Sequence, residues 1–242
     1  MSAAIFVSDL HLCPTRPVTT RLFLDFLDAV PGQAESLCIL GDLFNYWAGD
    51  DDLDDPFNGT VASALRKLAG RGVQVSLLAG NRDFLLGPGF AVASATQVLG
   101  EPYLTSVCGT PTLLLHGDSL CTNDRTYQDF CREVRSVAWR ETFLARPLAE
   151  RHAEIEAMRV RSEEQKSLKP AAVMDVANDA VDSLLRQYAY PRLIHGHTHR
   201  TGLHEHIVDG RRCERWVLGD WYETGSYLRC DESGCSFMPW PR

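Results

Sequence analysis

Short apolar runs alternate along the chain with longer stretches in which apolar residues recur every three or four positions. The short runs have the length of buried strands, and the longer stretches have the period of amphipathic helices. Strands are predicted at residues 3–8, 36–40, 73–79, 112–115 and 192–194. Helices are predicted at residues 19–30, 61–69 and, after Pro170, 173–188. This alternation is typical of an α/β fold.

The C-terminal part of the chain has β patterns without intervening helical ones. Further strands are predicted at residues 216–218, 226–230 and 235–238, with a turn at Ser233-Gly234 joining the last two. Consecutive strands with a short turn favour antiparallel pairing. We therefore expect two sheets packed face to face, the second more antiparallel, with helices on the outside.

Residues 125–169 do not fit the alternation, because they lack apolar strand runs and are helical in composition. Pro147 is predicted to break this stretch into two helices. The stretch holds ten Lys and Arg against eight Asp and Glu, whereas the whole chain has a net charge of −8. We interpret residues 125–169 as a helical cap inserted into a core formed by residues 1–124 and 170–242.

Composition narrows the classes of function. A net charge of −8 argues against a generic nucleic-acid binder, which would need basic residues to neutralise phosphates. The eight cysteines form no Cys-x-x-Cys pair, and no secretory signal opens the chain, so a cytosolic protein with reduced thiols is expected. No apolar run approaches the ~18 residues that span a bilayer, so any membrane contact is expected to be peripheral.

Five short polar motifs stand where predicted strands stop. They are Asp9-Leu10-His11, Gly41-Asp42, Gly80-Asn81-Arg82-Asp83, His116-Gly117-Asp118 and His195-Gly196-His197-Thr198-His199. Each alone is compatible with an ordinary turn, a helix cap or a buried histidine. Strand ends of an α/β sheet meet in one crevice, however, so the motifs are expected to converge. Oxygen and imidazole ligands without cysteine suit Mn²⁺, Fe²⁺ or Zn²⁺.

In their order, these motifs resemble the calcineurin-like metallophosphoesterase superfamily. The resemblance spans residues 5 to about 220 and implies a four-layer α-β-β-α sandwich with two divalent cations. It implies that one cation is bound by Asp9, His11, Asp42 and His199, and the other by Asp42, Asn81, His116 and His197. Asp42 would bridge the pair, and a water activated by the cations would attack phosphorus. His195 is expected to support the fold.

Arg82 narrows the substrate class. Many superfamily members have His at this position, where it can protonate the leaving group. Arg stays charged near neutral pH, so it cannot act as a general acid, but its fork of donors binds phosphate. Arg82 therefore favours a substrate with a second phosphate or with a good leaving group, and a diphosphate meets both conditions.

Longer strings resemble one subfamily, the UDP-2,3-diacylglucosamine hydrolases of bacterial lipid A biosynthesis. The strings are FVSDLHL, ILGDLFNYWAGDDD, GNRDFLLG, LLHGDSLCTND, MDV and LIHGHTHR. The resemblance implies attack on the uridine-side phosphorus, which gives UMP and 2,3-diacylglucosamine 1-phosphate (lipid X). It also implies Mn²⁺ as the usual metal, a cap that covers the acyl chains, and a peripheral position on the cytoplasmic face of the inner membrane. No dimer signature is present, so a monomer is expected.

The same resemblance implies a set of substrate contacts, which together with the metal ligands form the predicted site. They are Asn81, Arg82, Asp124, Ser162, Lys166, Lys169 and His197. The family usually has Asn at the position of Lys166, so this residue departs from the pattern. The cap could instead be an amphipathic hairpin that simply packs on the core.

Two other functions remain possible at this point. One is a different enzyme of the superfamily, such as a cyclic-nucleotide phosphodiesterase or a protein phosphatase, although Arg82 and the helical insertion argue against it. The other is a non-catalytic scaffold, but a scaffold has no physical reason to keep the full ligand set.

Overall fold

The computed structural model describes residues 3–168, 170, 173–222 and 224–241. The side chains of residues 163 and 165–168 lie outside this description. Within it, no helix is both long enough and apolar enough to cross a membrane.

The described residues alternate between strand and helix as far as residue 99, as the sequence predicts. The strands are β1 Ala4–Val7, β2 Ser36–Leu40, β3 Gln74–Leu78, β4 Gln97–Leu99, β5 Tyr103–Val107, β6 Thr110–Leu114, β7 Arg192–His195, β8 Gly202–Val208, β9 Arg211–Val217, β10 Gly225–Asp231 and β11 Gly234–Trp240. The helices are α1 Pro17–Ala29, α2 Pro56–Gly70, α3 Pro88–Ser94, α4 Arg125–Val134, α5 Val137–Leu144, α6 Leu148–Leu168 and α7 Asn178–Gln187. Of these elements, β4, β5, β8 and α3 were not predicted.

The strands form two mixed sheets, and the C-terminal strands β10 and β11 join the first sheet rather than the second, more antiparallel one that the sequence predicts. The first has six strands in the order β11-β10-β1-β2-β3-β4, and the second has five in the order β5-β6-β7-β9-β8. Strands β1 to β4 run parallel to one another, and β6, β7 and β9 do so in the second sheet. Parallel strands end at one edge of a sheet, so the loops that follow β1, β2 and β3 lie side by side.

Alternate side chains along the strands pack in different cores, which gives a four-layer sandwich. In β2, Leu37 and Ile39 face a core shared with α1, α2 and α3, whereas Leu40 faces a second core between the sheets. In β7, Ile194 faces that same inner core, and Leu193 packs in a third core with α7. A strand buried on both faces is apolar throughout, which is why these runs were recognisable. The four-layer α-β-β-α prediction is confirmed.

Two helical predictions were wrong in detail. The helix expected at residues 173–188 begins only at Asn178, because the backbone N–H of Ala177 donates to the Leu120 carbonyl at 2.9 Å and holds the preceding residues outside the helix. Residues 125–168 form three helices rather than two. The additional break lies at Ser136, whose hydroxyl accepts a hydrogen bond from the Trp139 N–H at 3.3 Å and begins α5.

The expectation that all thiols are reduced was also wrong for one pair. Cys230 and Cys235 form a disulfide in the β10–β11 hairpin. They are directly opposite partners in the antiparallel register, with Cα atoms 4.0 Å apart. Sequence spacing did not reveal the pair, because the register of the hairpin determines which residues face each other.

A helix cap offers a test of local structure. The Asp55 carboxylate accepts hydrogen bonds from the N–H groups of Phe57 and Asn58 at 2.8 and 3.3 Å, at the first turn of α2. We expect Asp55→Ala to lower the free energy of unfolding by about 1 kcal/mol, because these donors lose their acceptor. Urea denaturation measures the change. Asp54→Ala is the matched control, since Asp54 is an exposed neighbour outside the cap, and an equal loss in both variants would contradict the capping role.

Candidate metal centre

The five polar motifs come together where the two sheets meet. The loops after β1 and β2 are joined by a hydrogen bond from the Asp9 N–H to the Gly41 carbonyl, at 3.1 Å. The loops after β6 and β7 are joined by one from the Gly196 N–H to the His116 carbonyl, at 2.8 Å. The two pairs of loops meet where the His197 N–H donates to Asp9 Oδ2 at 2.9 Å. The strand-end motifs thus converge as the topology requires.

One cluster contains Asp9, His11 and His199. A ligand atom of each lies within 4.8 Å of those of the other two. Asp9 Oδ1 is 3.2 Å from His199 Nε2 and 3.9 Å from His11 Nε2. One oxygen and two imidazoles therefore surround a common point.

A second cluster lies around Asn81. Its side-chain oxygen is 2.9 Å from His116 Nε2 and 3.0 Å from His197 Nδ1. The two histidine rings meet edge to face, with centroids 5.1 Å apart. The structure thus brings together one residue from each of three different strand ends.

Asp42 lies between the two clusters. Its Oδ2 is 3.7 Å from His11 Nδ1, and its Oδ1 is 3.8 Å from His116 Nε2. One carboxylate therefore presents an oxygen to each side. The approach requires Gly80, because a Cβ at that residue would lie 2.1 Å from Asp42 Oδ1.

The backbone of these loops turns into the left-handed region at positions that are not glycine. The residues are Asp9, His11, Asp42, His197 and His199, with φ of 55°, 48°, 54°, 67° and 55°. Such conformations cost free energy for L-residues and persist only when the surrounding structure holds them. Their concentration in five of the seven predicted ligands indicates that side-chain convergence, rather than local preference, determines the backbone here.

Two observations indicate that the residues of these clusters suit divalent cations. Among the described residues, none hydrogen-bonds with the buried Oδ1 of Asp9 or the buried Nδ1 of His11. Buried polar atoms normally have a partner, so two without one in the same cluster call for a ligand. The donors are oxygen and imidazole nitrogen with no thiolate, which is the donor set of Mn²⁺, Fe²⁺ and Zn²⁺.

The electrostatics of the clusters also favour cations. Burial and the neighbouring carboxylates raise the pKa of Asp42 to about 7. Burial alone would lower the pKa of His116, but Asp42 and Asp9 outweigh it and raise this pKa to about 9. Burial likewise opposes protonation of His199, yet the adjacent carboxylates of Asp220 and Asp9 raise its pKa to about 9. The protein thus places excess negative charge here, and divalent cations would offset it in place of protons on the histidines.

Asp83 supports the site in a way that the sequence did not reveal. Its carboxylate accepts hydrogen bonds from the N–H groups of Asp42, Leu43 and Phe44 in one loop, at 3.3, 2.8 and 3.3 Å. It also accepts one from the Gly80 N–H at 2.7 Å. The residue was visible as the last member of the third motif, but only the fold shows that it joins two ligand loops.

Further supporting carboxylates surround the histidines. Nδ1 of the His199 ring lies 2.8 Å from the Asp220 carboxylate, which accepts from it, and the His116 N–H donates to Glu101 at 3.1 Å. Asp118, from the fourth motif, is ion-paired with Arg135 at 2.9 Å. Asp220 and Glu101 lie outside every motif, and no sequence signal indicated them.

His195 lies away from the ligand atoms of both clusters. It is fully buried, with Nδ1 2.9 Å from the Gly196 carbonyl and Nε2 3.2 Å from Arg215 of β9. Burial lowers its pKa to about 3, so the ring is neutral. These contacts agree with the expectation that His195 supports the fold.

A cavity of about 490 Å³ opens beside the second cluster, between the core and helices α4, α5 and α6. Three of the predicted substrate contacts, Asn81, Arg82 and Ser162, line it. Asp124 does not: it is buried and caps α4 by accepting from the Tyr127 N–H at 3.2 Å. His197 is not in the lining either, but its ring stacks on Tyr127, which does line the cavity, with centroids 5.9 Å apart.

Two predicted contacts fall outside the described structure. They are Lys169 and the side chain of Lys166. Their contacts stay predictions.

Comparison with known proteins identifies the class. Residues 4–201 match the model of the calcineurin-like phosphoesterase family, and the chain belongs to this family. A solved archaeal phosphodiesterase has the same fold, with a TM-score of 0.50 at 10% identity over 98% of this chain and 99% of the other.

Curated relatives match over nearly the full length. A UDP-2,3-diacylglucosamine hydrolase from Aromatoleum aromaticum is 51% identical over 96% of this chain and 94% of its own. Proteins of the same name from Cellvibrio japonicus and Xanthomonas campestris are 43% and 46% identical, over 98% and 95% of this chain and 98% and 96% of theirs.

The role of Asp83 can be tested by a near-isosteric change. We expect Asp83→Asn to lower the free energy of unfolding by about 3 kcal/mol, because an amide NH₂ would face N–H donors that now have an acceptor. Urea denaturation without added metal measures this change, and calorimetric titration with Mn²⁺ should show weaker binding. Asp25→Asn is the matched control, since Asp25 is exposed on α1. Unchanged stability in Asp83→Asn would contradict the supporting role.

Proposed function

We propose that this protein hydrolyses the diphosphate of UDP-2,3-diacylglucosamine at the uridine-side phosphorus, giving UMP and 2,3-diacylglucosamine 1-phosphate (lipid X) in lipid A biosynthesis. The observation that carries the proposal is the apolar cavity under helices α4–α6, which opens directly onto Asn81 and Arg82. The names of the relatives with 43–51% identity support the same substrate.

The cavity has the character that an acylated sugar requires. Its apolar lining includes Phe84, Phe130, Val134, Trp139, Ile155 and Met158. Its volume of about 490 Å³ is within the usual range for small-molecule sites. Acyl chains bury apolar surface on entering such a space, which stabilises the complex by roughly 0.8 kcal/mol per methylene group. A cyclic nucleotide or a phosphoprotein loop would leave this apolar surface unused.

We assign the metal ligands as two sets that share Asp42. The first is Asp9, His11, Asp42 and His199, and the second is Asp42, Asn81, His116 and His197. When bound, two divalent cations lower the pKa of a water molecule and neutralise charge on the phosphoryl oxygens. Mn²⁺ is our proposed metal.

Arg82 has two functions in this proposal. Its backbone N–H donates to Asp42 Oδ1 at 2.8 Å and so orients the shared carboxylate. Arg82 also lines the cavity beside Asn81, where its guanidinium can bind a phosphate of the substrate with two parallel hydrogen bonds. A diphosphate has a phosphate for Arg82 in addition to the one attacked, and the departing lipid phosphate needs no proton from a general acid.

We further propose that residues 125–169 act as a cap on a core of residues 1–124 and 170–242. Buried Arg151 of α6 forms an ion pair with Asp51 and donates to the Ala48 carbonyl. At the far side of the cavity, Arg135 at the end of α4 forms an ion pair with Asp118. These contacts fix the helices at two separate places and support a fixed acyl-binding cavity between them.

Contact with the cytoplasmic face of the inner membrane follows from a lipid substrate. The helices of the cap expose large apolar side chains, namely Phe130, Val137, Leu144 and Val160, at 42%, 71%, 39% and 49%. Phe130 also lines the cavity, so the exposed apolar surface is continuous with the acyl site. The cap holds more Lys and Arg than Asp and Glu, which suits an anionic bilayer surface.

The substrate can be tested directly. With Mn²⁺ we expect hydrolysis of UDP-2,3-diacylglucosamine to UMP and lipid X, faster than hydrolysis of an aryl phosphate at equal concentration, because only the lipid substrate uses the apolar cavity. Chromatography of the products measures both reactions. Faster turnover of the aryl phosphate would overturn the substrate assignment.

Two variants serve as controls for the metal assignment in that assay. His11→Ala and Asp42→Asn are expected to abolish turnover of both substrates while far-ultraviolet circular dichroism stays unchanged. Near-normal turnover in either variant would refute the ligand sets.

Membrane contact has its own test. We expect Val137→Asp combined with Val160→Asp to weaken binding to vesicles of phosphatidylglycerol and phosphatidylethanolamine by roughly tenfold or more, since two apolar contacts are lost and two negative charges added. Vesicle sedimentation measures binding. The control is Val92→Asp, a change at a residue that is 73% exposed on α3. An equal effect in the control would exclude the cap as the docking surface.

A further inference from the structure

We propose that a second cavity, between the first two ligand loops and helix α6, binds the uridine of the substrate. The proposal rests on the proposed function, which requires sites for two chemically different groups on either side of one diphosphate. The second cavity has a volume of about 370 Å³, which is within the range of small-molecule sites.

The position of this cavity relative to the metal ligands is the first argument. Its wall includes Leu12 and Phe44, which follow His11 and Asp42 by one and two residues. The two loops are held together there, since the Asn45 N–H donates to the Leu12 carbonyl at 3.0 Å. The cavity thus begins where the metal-binding motifs end.

The two cavities share a wall. Asn45, Tyr46 and Arg159 line both. The Tyr46 ring meets the His152 ring edge to face, with centroids 5.7 Å apart, and the Arg159 guanidinium lies 6.0 Å from the centroid of the Tyr46 ring. Asn81 and Arg82 lie on the larger cavity's side of this wall. A diphosphate at Asn81 and Arg82 can therefore extend its two ends into different cavities.

The chemistry of the lining separates the two cavities. The larger one is mainly apolar, whereas polar side chains such as Thr15, Asn45, Asn58 and His152 line the second. In the described part of the chain, no residue hydrogen-bonds with the side-chain amide of Asn45 or the hydroxyl of Tyr46. An amide offers both a donor and an acceptor, which match the carbonyl and N–H edge of uracil. Aromatic rings supply the stacking surface that bases use.

The charge of the second cavity indicates which part of the nucleotide it accepts. Asp52 and Glu156 line it, and each is paired with a neighbour, His152 at 3.1 Å and Arg159 at 2.7 Å. Carboxylates in the wall disfavour a phosphate, but they do not oppose a neutral nucleoside, and they accept hydrogen bonds from ribose hydroxyls. The phosphates then stay with the metal ligands and Arg82.

The experiment compares binding of UMP and of inorganic phosphate to the Mn²⁺-loaded full chain by calorimetry. Thr15→Trp places a large ring at an exposed lining position and is expected to weaken UMP binding by about tenfold, the effect of one lost base contact. Phosphate binding should not change. Val18→Trp is the matched control, because Val18 is 69% exposed nearby on α1 and lines neither cavity.

A second variant covers the case in which Thr15→Trp does not fold. Asn45→Ala removes the proposed base-recognition amide, and it should also reduce the preference for UMP over phosphate. For both variants, the KM for UDP-2,3-diacylglucosamine should rise more than kcat falls.

The outcomes separate this inference from the proposed function. If the wild-type protein hydrolyses UDP-2,3-diacylglucosamine while both variants keep the full preference for UMP, the nucleoside site is refuted and the function stands. If the wild-type protein binds UMP in a way that depends on Thr15 and Asn45 but leaves the lipid substrate intact, the proposed function fails and the nucleoside site stands.

Discussion

The structure depends on the burial of two carboxylates, Asp9 and Asp42, where its two sheets meet. Unpaired buried carboxylates would be strongly destabilising. Asp9 accepts hydrogen bonds from the Ser8 hydroxyl and the His197 N–H, at 2.6 and 2.9 Å, and Asp42 accepts one from the Arg82 N–H. Two of these donors lie in the loops of other strands, so each carboxylate is stabilised only when distant parts of the chain are in place. Folding and assembly of the candidate metal site are therefore coupled.

The same coupling explains how strained loops are maintained. A ligand loop with left-handed residues would relax if it were isolated, since such conformations cost free energy. Asp83 prevents this by binding amides from the loops after β2 and β3 with one carboxylate. The candidate ligands are thus held in position by the protein itself, which would reduce the ordering that cation binding otherwise requires.

The sequence predicted those parts of the fold that local pattern determines. Strands β1, β2 and β7 are buried on both faces and appeared as apolar runs. Strand β8 was missed because it lies at a sheet edge. Its half-buried side chains include the polar residues His204 and His206, so the strand lacks the apolar run of a buried strand. Strand β4 has only three residues, too few for a pattern.

In the candidate site as well, some residues could be predicted from local motifs, and others only from the folded structure. The predicted ligands could be found because each follows a strand within a short motif, and parallel topology brings such motifs together. Their supporting partners could not, because Asp220 and Glu101 approach His199 and His116 through tertiary contacts alone. The helical break at Ser136 also needed the structure, since a serine hydroxyl caps a helix only if the chain turns there.

In the proposed function, the helices over the site would give this arrangement its selectivity. Arg151 and Arg135 attach them at two places and keep an apolar space open between, while α6 also contributes His152 and Arg159 to the polar cavity. One helix therefore lines both a mainly apolar space and a second space with more polar side chains, and Tyr46 lies in the wall between them. A substrate with a lipid at one end of its diphosphate and a nucleoside at the other can gain binding energy from both spaces in only one orientation. That orientation determines which phosphorus faces the metal ligands, so the position of the cap would decide which bond is broken.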